Sequence, residues 1–156
     1  MPAPGPRRGF TLIELLVVLV IVGITLGLVS LNAIPNQQQS LQNEAQRIAL
    51  LLQVARDEAI VRNRQVAFEA DPDGYRFWVR NEKQWEQVAQ DDLLRERAFK
   101  NAPIVLVLDP PASAAGPNLR ITFGREPVDK PFVLTMAAGD SRVAIRADGI
   151  GHFALD

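Results

Sequence analysis

Arg7-Arg8-Gly9-Phe10-Thr11-Leu12-Ile13-Glu14-Leu15-Leu16 opens an apolar run that continues to Leu31. At roughly 1.5 Å of rise per residue, the stretch from Leu12 to Leu31 makes a helix long enough to cross the hydrocarbon of a bilayer once. A membrane span is therefore the first expectation. The run contains one carboxylate, Glu14, a single turn after Phe10 and close behind a basic leader. An acidic residue at mid-bilayer costs on the order of 3 kcal/mol, less near the interface, and residues of this kind usually have a partner and a function. A cut between Gly9 and Phe10 would put a new α-amino group at the depth of Glu14, where it could neutralise its own or a neighbour's carboxylate. In a water-poor bundle of such helices either charge alone is strongly destabilising, whereas the pair is tolerated and fixes the axial register of one subunit against the next. The stretch reads as a device for polymerisation.

These residues carry a resemblance. Gly9-Phe10-Thr11-Leu12-Ile13-Glu14 resembles the processing signal of type IV prepilins and of the pseudopilins of type II secretion. The resemblance implies a prepilin peptidase that cleaves between Gly9 and Phe10 on the cytoplasmic side and N-methylates Phe10, with Glu14 as the assembly carboxylate.

Arg7 and Arg8 precede the span and no comparable basic cluster follows it closely. The positive-inside rule then leaves the N-terminus in the cytoplasm and most of the chain outside. The leader is too short for a conventional secretory signal, and no small-x-small cleavage site follows the apolar run, so the span is expected to stay with the mature protein. A chain of 156 residues has room for one anchor and one small domain. The formal net charge is −1, and loss of Arg7 and Arg8 with the leader makes it −3, which gives no electrostatic case for general nucleic-acid binding. Cysteine is absent, which excludes a disulfide framework, a thiol nucleophile and a Cys-ligated zinc site.

Further along, Gly23 and Gly27 stand one turn apart, a small-xxx-small face on which another helix backbone could come close. Pro35 should kink or locally open a continuing helix. Beyond it Leu41, Ala45, Ile48, Leu52, Ala55 and Ala59 recur at three- and four-residue steps, with Leu51 and Val54 widening the stripe and Gln42, Asn43, Gln46, Gln53 and Asp57 opposite. The spacing predicts one long helix from Phe10 to about Arg62, its second half docking a globular domain, with Arg56, Arg62 and Arg64 suited to the negative end of the dipole.

From Gln65 the period changes to two. Val66 and Phe68 alternate with Ala67 and Glu69, Asp71-Pro72-Asp73-Gly74 supplies turn chemistry, and Tyr75, Phe77 and Val79 return as the second strand of a hairpin. A short third strand around Trp85 and Val88 should follow, then a polar connection at Asp91 to Arg95 and another short strand in Leu94 to Phe99. Ile104 to Leu108 reads as a strand buried on both faces. Asp109 to Asn118, rich in proline and small residues, reads as a mobile surface loop. Leu119 to Phe123, Phe132 to Met136 and Arg142 to Arg146 are expected strands, and Gly151 to Leu155 closes the sheet.

The expected fold class is α+β, a pilin-like fold in which a long N-terminal helix packs on an antiparallel β-sheet domain. Its parts are a cleaved leader at 1–9, a transmembrane or filament-core half-helix at 10–33, a periplasmic half-helix at 34–64 and a β-rich periplasmic domain at 65–156. Over nearly the whole chain this layout resembles the H-type minor pseudopilins, the GspH/FimT family. The resemblance rests on Ala55 to Arg64, on Asp73-Gly74-Tyr75-Arg76-Phe77 with Trp85, Asp92, Leu93, Leu94 and Arg95, and on the closing Ala147-Asp148-Gly149-Ile150-Gly151. The loop Gly124-Arg125-Glu126-Pro127 departs from the Pro-x-Gly turn frequent in secretion relatives, so nothing is carried over for it.

Candidate chemistry is thin. His152 is the single histidine and has no Gly-x-Ser-x-Gly elbow or second imidazole beside it, so a surface or packing role at a strand end fits it best. Asp71, Asp73 and Gly74 look like the start of a calcium loop but lack its terminal bidentate Glu, which leaves a plain turn. Asp91 and Asp92 read as solvated loop carboxylates. Trp78 faces outward with Arg76 and Arg80, either packing across the hairpin on Trp85 or meeting another subunit.

No catalytic residue, metal or cofactor is assigned. The resemblance implies a minor pseudopilin: a non-enzymatic assembly subunit of the type II secretion pseudopilus, anchored once in the inner membrane. Its partners would be the prepilin peptidase, the major pseudopilin and other minor pseudopilins. The alternative is a FimT-like type IV minor pilin for pilus assembly or DNA uptake, which would need Arg120, Arg125, Lys130, Arg142 and Arg146 gathered on one face.

Overall fold

A computed structural model of the chain describes residues 10–32, 37–111 and 118–156, with side chains for all of these except 25–32. The chain divides into two units, Met1–Pro35 and Asn36–Asp156. The expected leader, the bend at Pro35 and most of the loop before Asn118 lie outside the described residues. So does the continuity of the expected single helix, which is represented by two segments, α1 (Leu12–Asn32) and α2 (Gln37–Val61).

In the first unit α1 starts at Leu12, and its large apolar side chains are exposed along the whole length from Leu12 to Ile24. Among the described residues no helix is long and apolar enough to cross a membrane. The expected span to Leu31 runs on beyond the last described side chain, Ile24.

In the second unit α2 buries the expected stripe: Leu41, Ala45, Ile48, Leu52, Ala55 and Ala59 are all at 3% exposure or less, and Leu51 is buried beside them. Burying each large member of this stripe contributes about 1.5–3 kcal/mol. The helix stops because Asn63 takes a left-handed conformation, φ 52°, that few residues tolerate. The Asn63 N–H then donates to Ile60 O (3.2 Å) and the Arg64 N–H to Ala59 O (3.1 Å), satisfying the last carbonyls of the helix.

The β half is two antiparallel sheets rather than one. The first runs β3 (Gln84–Gln87), β2 (Gly74–Asn81), β1 (Val66–Ala70) and β6 (Leu119–Phe123), with the two-residue β4 (Arg97–Ala98) sharing the β3 side of β2. The second runs β5 (Val105–Asp109), β7 (Phe132–Ala138), β8 (Ser141–Ala147) and β9 (Phe153–Leu155). The hairpin register follows the period-two reading, with Val66 opposite Val79, Phe68 opposite Phe77 and Ala70 opposite Tyr75. Asp71 shapes its turn by accepting the N–H groups of Asp73 (2.9 Å) and Gly74 (3.0 Å).

The inner faces and the α2 stripe share one core, in which Phe68, Phe77, Phe123, Leu134, Met136 and Ile145 are fully buried. Phe68 sits 5.4 Å from Phe77 and 5.7 Å from Tyr75 between ring centroids, within the range of favourable aromatic pairs.

One strand corrects the sequence reading. The run Ile104 to Leu108 is not buried on both faces, because Val105 and Val107 are 61% and 56% exposed while Leu106 and Leu108 turn inward. Among the described residues β5 pairs with β7 alone, so it ends its sheet with one face uncovered.

The last turn brings two loops into close approach. Asp129 N–H donates to Gly149 O at 2.8 Å, and a Cβ on Gly149 (φ +83°) would stand 2.3 Å from Asp129 O, which is backbone and cannot swing aside. Gly149→Ala is therefore expected to lose about 2 kcal/mol of unfolding free energy, read by chemical denaturation.

Candidate functional site

The N-terminal stretch is built by its own capping chemistry. Thr11 precedes the first helical residue, and its carbonyl accepts the N–H groups of Glu14 (3.1 Å) and Leu15 (3.2 Å), while its Oγ1 lies 3.4 Å from the Glu14 nitrogen. Thr-x-x-Glu is the capping-box spacing, so Thr11 does for the helix start what Asn63 does for the end of α2. The sequence reading passed over Thr11, although this spacing was there to find. The cap places Glu14 as the acidic residue of the first turn, where the partial positive charge of the helix terminus favours a carboxylate.

Phe10, 74% exposed, and Glu14, also exposed, thus stand within one turn of each other at the head of an apolar helix. Gly9 lies outside the described residues. Gly23 has no atom within 4 Å of where a Cβ would be, which leaves room beside the backbone, and the surroundings of Gly27 are outside what is described. Such an arrangement offers an exposed carboxylate on a capped turn, open to a cation from another molecule.

Two acids of the β-rich unit, Asp91 and Asp148, bond to their own loops. Asp91 Oδ1 accepts the N–H groups of Leu93 (2.8 Å) and Leu94 (2.9 Å), and these hold its carboxyl below the usual range. It is a turn former rather than a merely solvated carboxylate. Asp148 Oδ1 accepts the N–H groups of Ile150, Gly151 and His152, and its Oδ2 meets His152 Nδ1 at 2.6 Å. Desolvation works against that charge, but the His152 ring and the loop N–H groups outweigh it and hold the Asp148 carboxyl down at about 2. His152 is exposed and closes this loop. Among the described residues no group of three or more His, Asp or Glu side chains is placed to hold a metal ion.

The arginines divide in ways that composition does not reveal. Arg56, expected at the dipole end of the helix, is instead buried, donating to the Pro127 carbonyl and lying against Gly151, where a Cβ would stand 2.6 Å from its Nη1. Glycine at 151 leaves the space that this guanidinium fills. Nearby, burial pushes the Asp129 carboxyl up, against the pull of the Gly124 N–H and Arg56. Arg62 pairs instead with Glu58, and Arg64 donates to Asn81 Oδ1 (3.0 Å).

On the outer face of the first sheet Arg120 reaches over Trp85, 4.5 Å from its ring centroid, and lies 5.8 Å from that of Trp78. Glu69 pairs with Arg120 at 3.6 Å and with Arg76 at 2.9 Å. The two tryptophans therefore share a guanidinium from β6 that joins them into a cation-π stack. Arg142 and Arg146 belong to the second sheet, with Arg146 paired to Asp156 at 2.7 Å, and Arg125 and Lys130 stand on the loop between β6 and β7. These five residues are spread over two sheets and a connecting loop, and Arg120 and Arg146 are already paired with carboxylates.

Comparison with known proteins adds the following. The family model described as type II transport protein GspH matches residues 44–151, and the prokaryotic N-terminal methylation motif matches residues 5–30. The type II secretion system protein H of Pseudomonas aeruginosa is 31% identical over 136 residues, covering 85% of this chain and 77% of that one. The protein of the same name from Klebsiella michiganensis is 26% identical over 175 aligned positions, covering 95% and 94%. Among solved structures, the minor pseudopilin EpsH from the type 2 secretion system of Vibrio cholerae superposes with a TM-score of 0.57 at 17% identity, covering 75% of this chain and 96% of that one. The type IV minor pilin FimU of Pseudomonas aeruginosa gives 0.54 at 18%, covering 77% and 90%. Both structures share the fold, the pilin-like α+β arrangement expected from the sequence.

Proposed function

This chain belongs to the GspH family of type II transport proteins and is a minor pseudopilin of the type II secretion system, and from that premise we propose how it assembles. Prepilin peptidase removes residues 1–9 and methylates Phe10. The helix beginning at Phe10 anchors the subunit once in the inner membrane, N-terminus inward, with residues 65–156 in the periplasm. On entry into the pseudopilus, Glu14 of one subunit pairs with the amine of Phe10 on the same or an adjacent subunit, and the face carrying Gly23 and Gly27 packs on neighbouring helices. The major pseudopilin and the other minor pseudopilins are the partners, and the subunit's work is structural.

The observation that carries this reading is Glu14 on a first turn capped by Thr11, exposed at the head of an apolar helix directly behind Gly9-Phe10. A carboxylate at such a place is costly in a membrane or a bundle without a cation, and the new terminus supplies one at the right height.

Mass spectrometry of the mature N-terminus tests the processing step. Wild type is expected to begin at N-methylated Phe10, and Gly9→Ala to retain its leader. A natural product that keeps its first nine residues overturns the proposal.

A further inference from the structure

On the outward stripe of α2 the exposed positions Asn43, Gln46, Arg47, Gln53 and Asp57 are polar, and Leu50, 60% exposed, interrupts them. A lone surface leucine means little by itself. This one faces a second. The turn held by Asp91 sends Leu94 into the core at 3% exposure and leaves its neighbour Leu93 outside at 53%. Between helix and turn lies a groove of about 280 Å³ lined by Arg47, Leu50, Leu51, Val54, Leu93 and Arg97.

The charge lining this groove is one-sided, although Glu44, Asp91 and Asp92 stand nearby. Two of the six lining residues are arginines and none is acidic. Arg47 is about half exposed and only loosely paired with Glu44, at 3.5 Å. Arg97 donates through Nη2 to Asp92 O at 3.2 Å, while its Nε is buried without a partner. An apolar floor of this size takes one large side chain, and two guanidiniums at its rim match carboxylates in a way that solvent matches less specifically.

We propose that this groove is a docking site for another pilin-like subunit of the same filament, one that inserts a large apolar side chain between Leu50 and Leu93 and offers an Asp or Glu within one helical turn of it to Arg47 and Arg97. The inference rests on the filament reading above and adds to it a surface, a partner chemistry and a register. The anchor residue supplies binding through burial, and the arginines reject subunits that lack the acid.

The test uses the full chain in cells that carry the whole secretion apparatus, with a photoreactive amino acid in place of Gln53, beside the groove, and separately in place of Val17 on α1. Illumination is expected to join position 53 to another pilin-like subunit, and the joined peptide to carry an acid within one turn of a large apolar residue. Leu50→Glu, and independently Arg47→Glu with Arg97→Glu, are expected to lower that adduct by roughly tenfold. Placing Lys at the partner's acid should restore it in the double arginine variant. Leu50 is exposed, so its substitution leaves the core intact and keeps the test valid if the arginine variant folds poorly. An adduct at position 53 only with a second copy of this chain or with lipid, or one insensitive to both changes, overturns the inference while the Val17 adduct upholds the filament reading. Loss of the Val17 adduct in otherwise wild-type protein overturns both.

Discussion

Full-length protein carrying Glu14→Leu is expected to reach the membrane and lose its leader normally, yet to fall in pseudopilus fractions by roughly a hundredfold, because unpairing a buried charge costs about 3 kcal/mol or more. The substitution makes the helix more apolar, so insertion does not suffer. What it removes is the group proposed to neutralise the Phe10 amine, which would then be buried without a partner in the filament. Thr11→Ala separates this effect from helix capping, since it removes the Oγ1 acceptor at the Glu14 nitrogen and keeps the carboxylate. That variant should lose only about 1 kcal/mol of helix stability and retain most incorporation. Quantitative immunoblots of sheared pseudopili against total membranes read both. Equal losses in the two variants would transfer the role of Glu14 from pairing to capping, and normal secretion with Glu14→Leu would end the mechanism altogether.

The second large effect is one of stability. Phe68 is fully buried on β1, between α2 and the strands, in ring contact with Tyr75 and Phe77. Phe68→Ala removes that packing and leaves a cavity that its rigid neighbours fill only in part, so about 3–5 kcal/mol of unfolding free energy should be lost in denaturant titrations. For a domain stable by about 5–15 kcal/mol this approaches the threshold of folding. Thr122→Ala, exposed on the outer face of β6, should change stability by no more than about 0.5 kcal/mol. A similar loss at both positions would mean that the aromatic cluster is not the core.

Much of this architecture is legible in local pattern. The α2 stripe and the Val66 to Val79 hairpin follow from spacings of 3.6 and 2, which a one-dimensional chain displays directly. Non-local pairing is not displayed in that way. Nothing in Leu119 to Phe123 says that it will join β1 across some fifty residues, and that pairing separates the β half into two sheets. The four apolar residues of β5 hide an alternation, because Val and Leu differ too little in hydropathy to reveal which side meets solvent. Arg56 was misplaced for a related reason: a guanidinium near a helix end suits the dipole, and only the glycine at 151 and the carbonyl at 127 give it a better environment. At the candidate site, Glu14 stood out because charge in an apolar run is costly, while Thr11 was hidden by the same run, read as membrane before it was read as a helix start.

The buried Arg56 has a mechanical meaning for the loops beside the last turns of α2. One side chain rooted in α2 touches both the turn at Pro127 and the bend at Gly151, and the backbone link from Asp129 to Gly149 stitches those two segments again a few residues away. The pair therefore moves as one stiff lip. Both segments are thereby tied to α2 through a single guanidinium, so that Arg56→Ala would release them from the helix together.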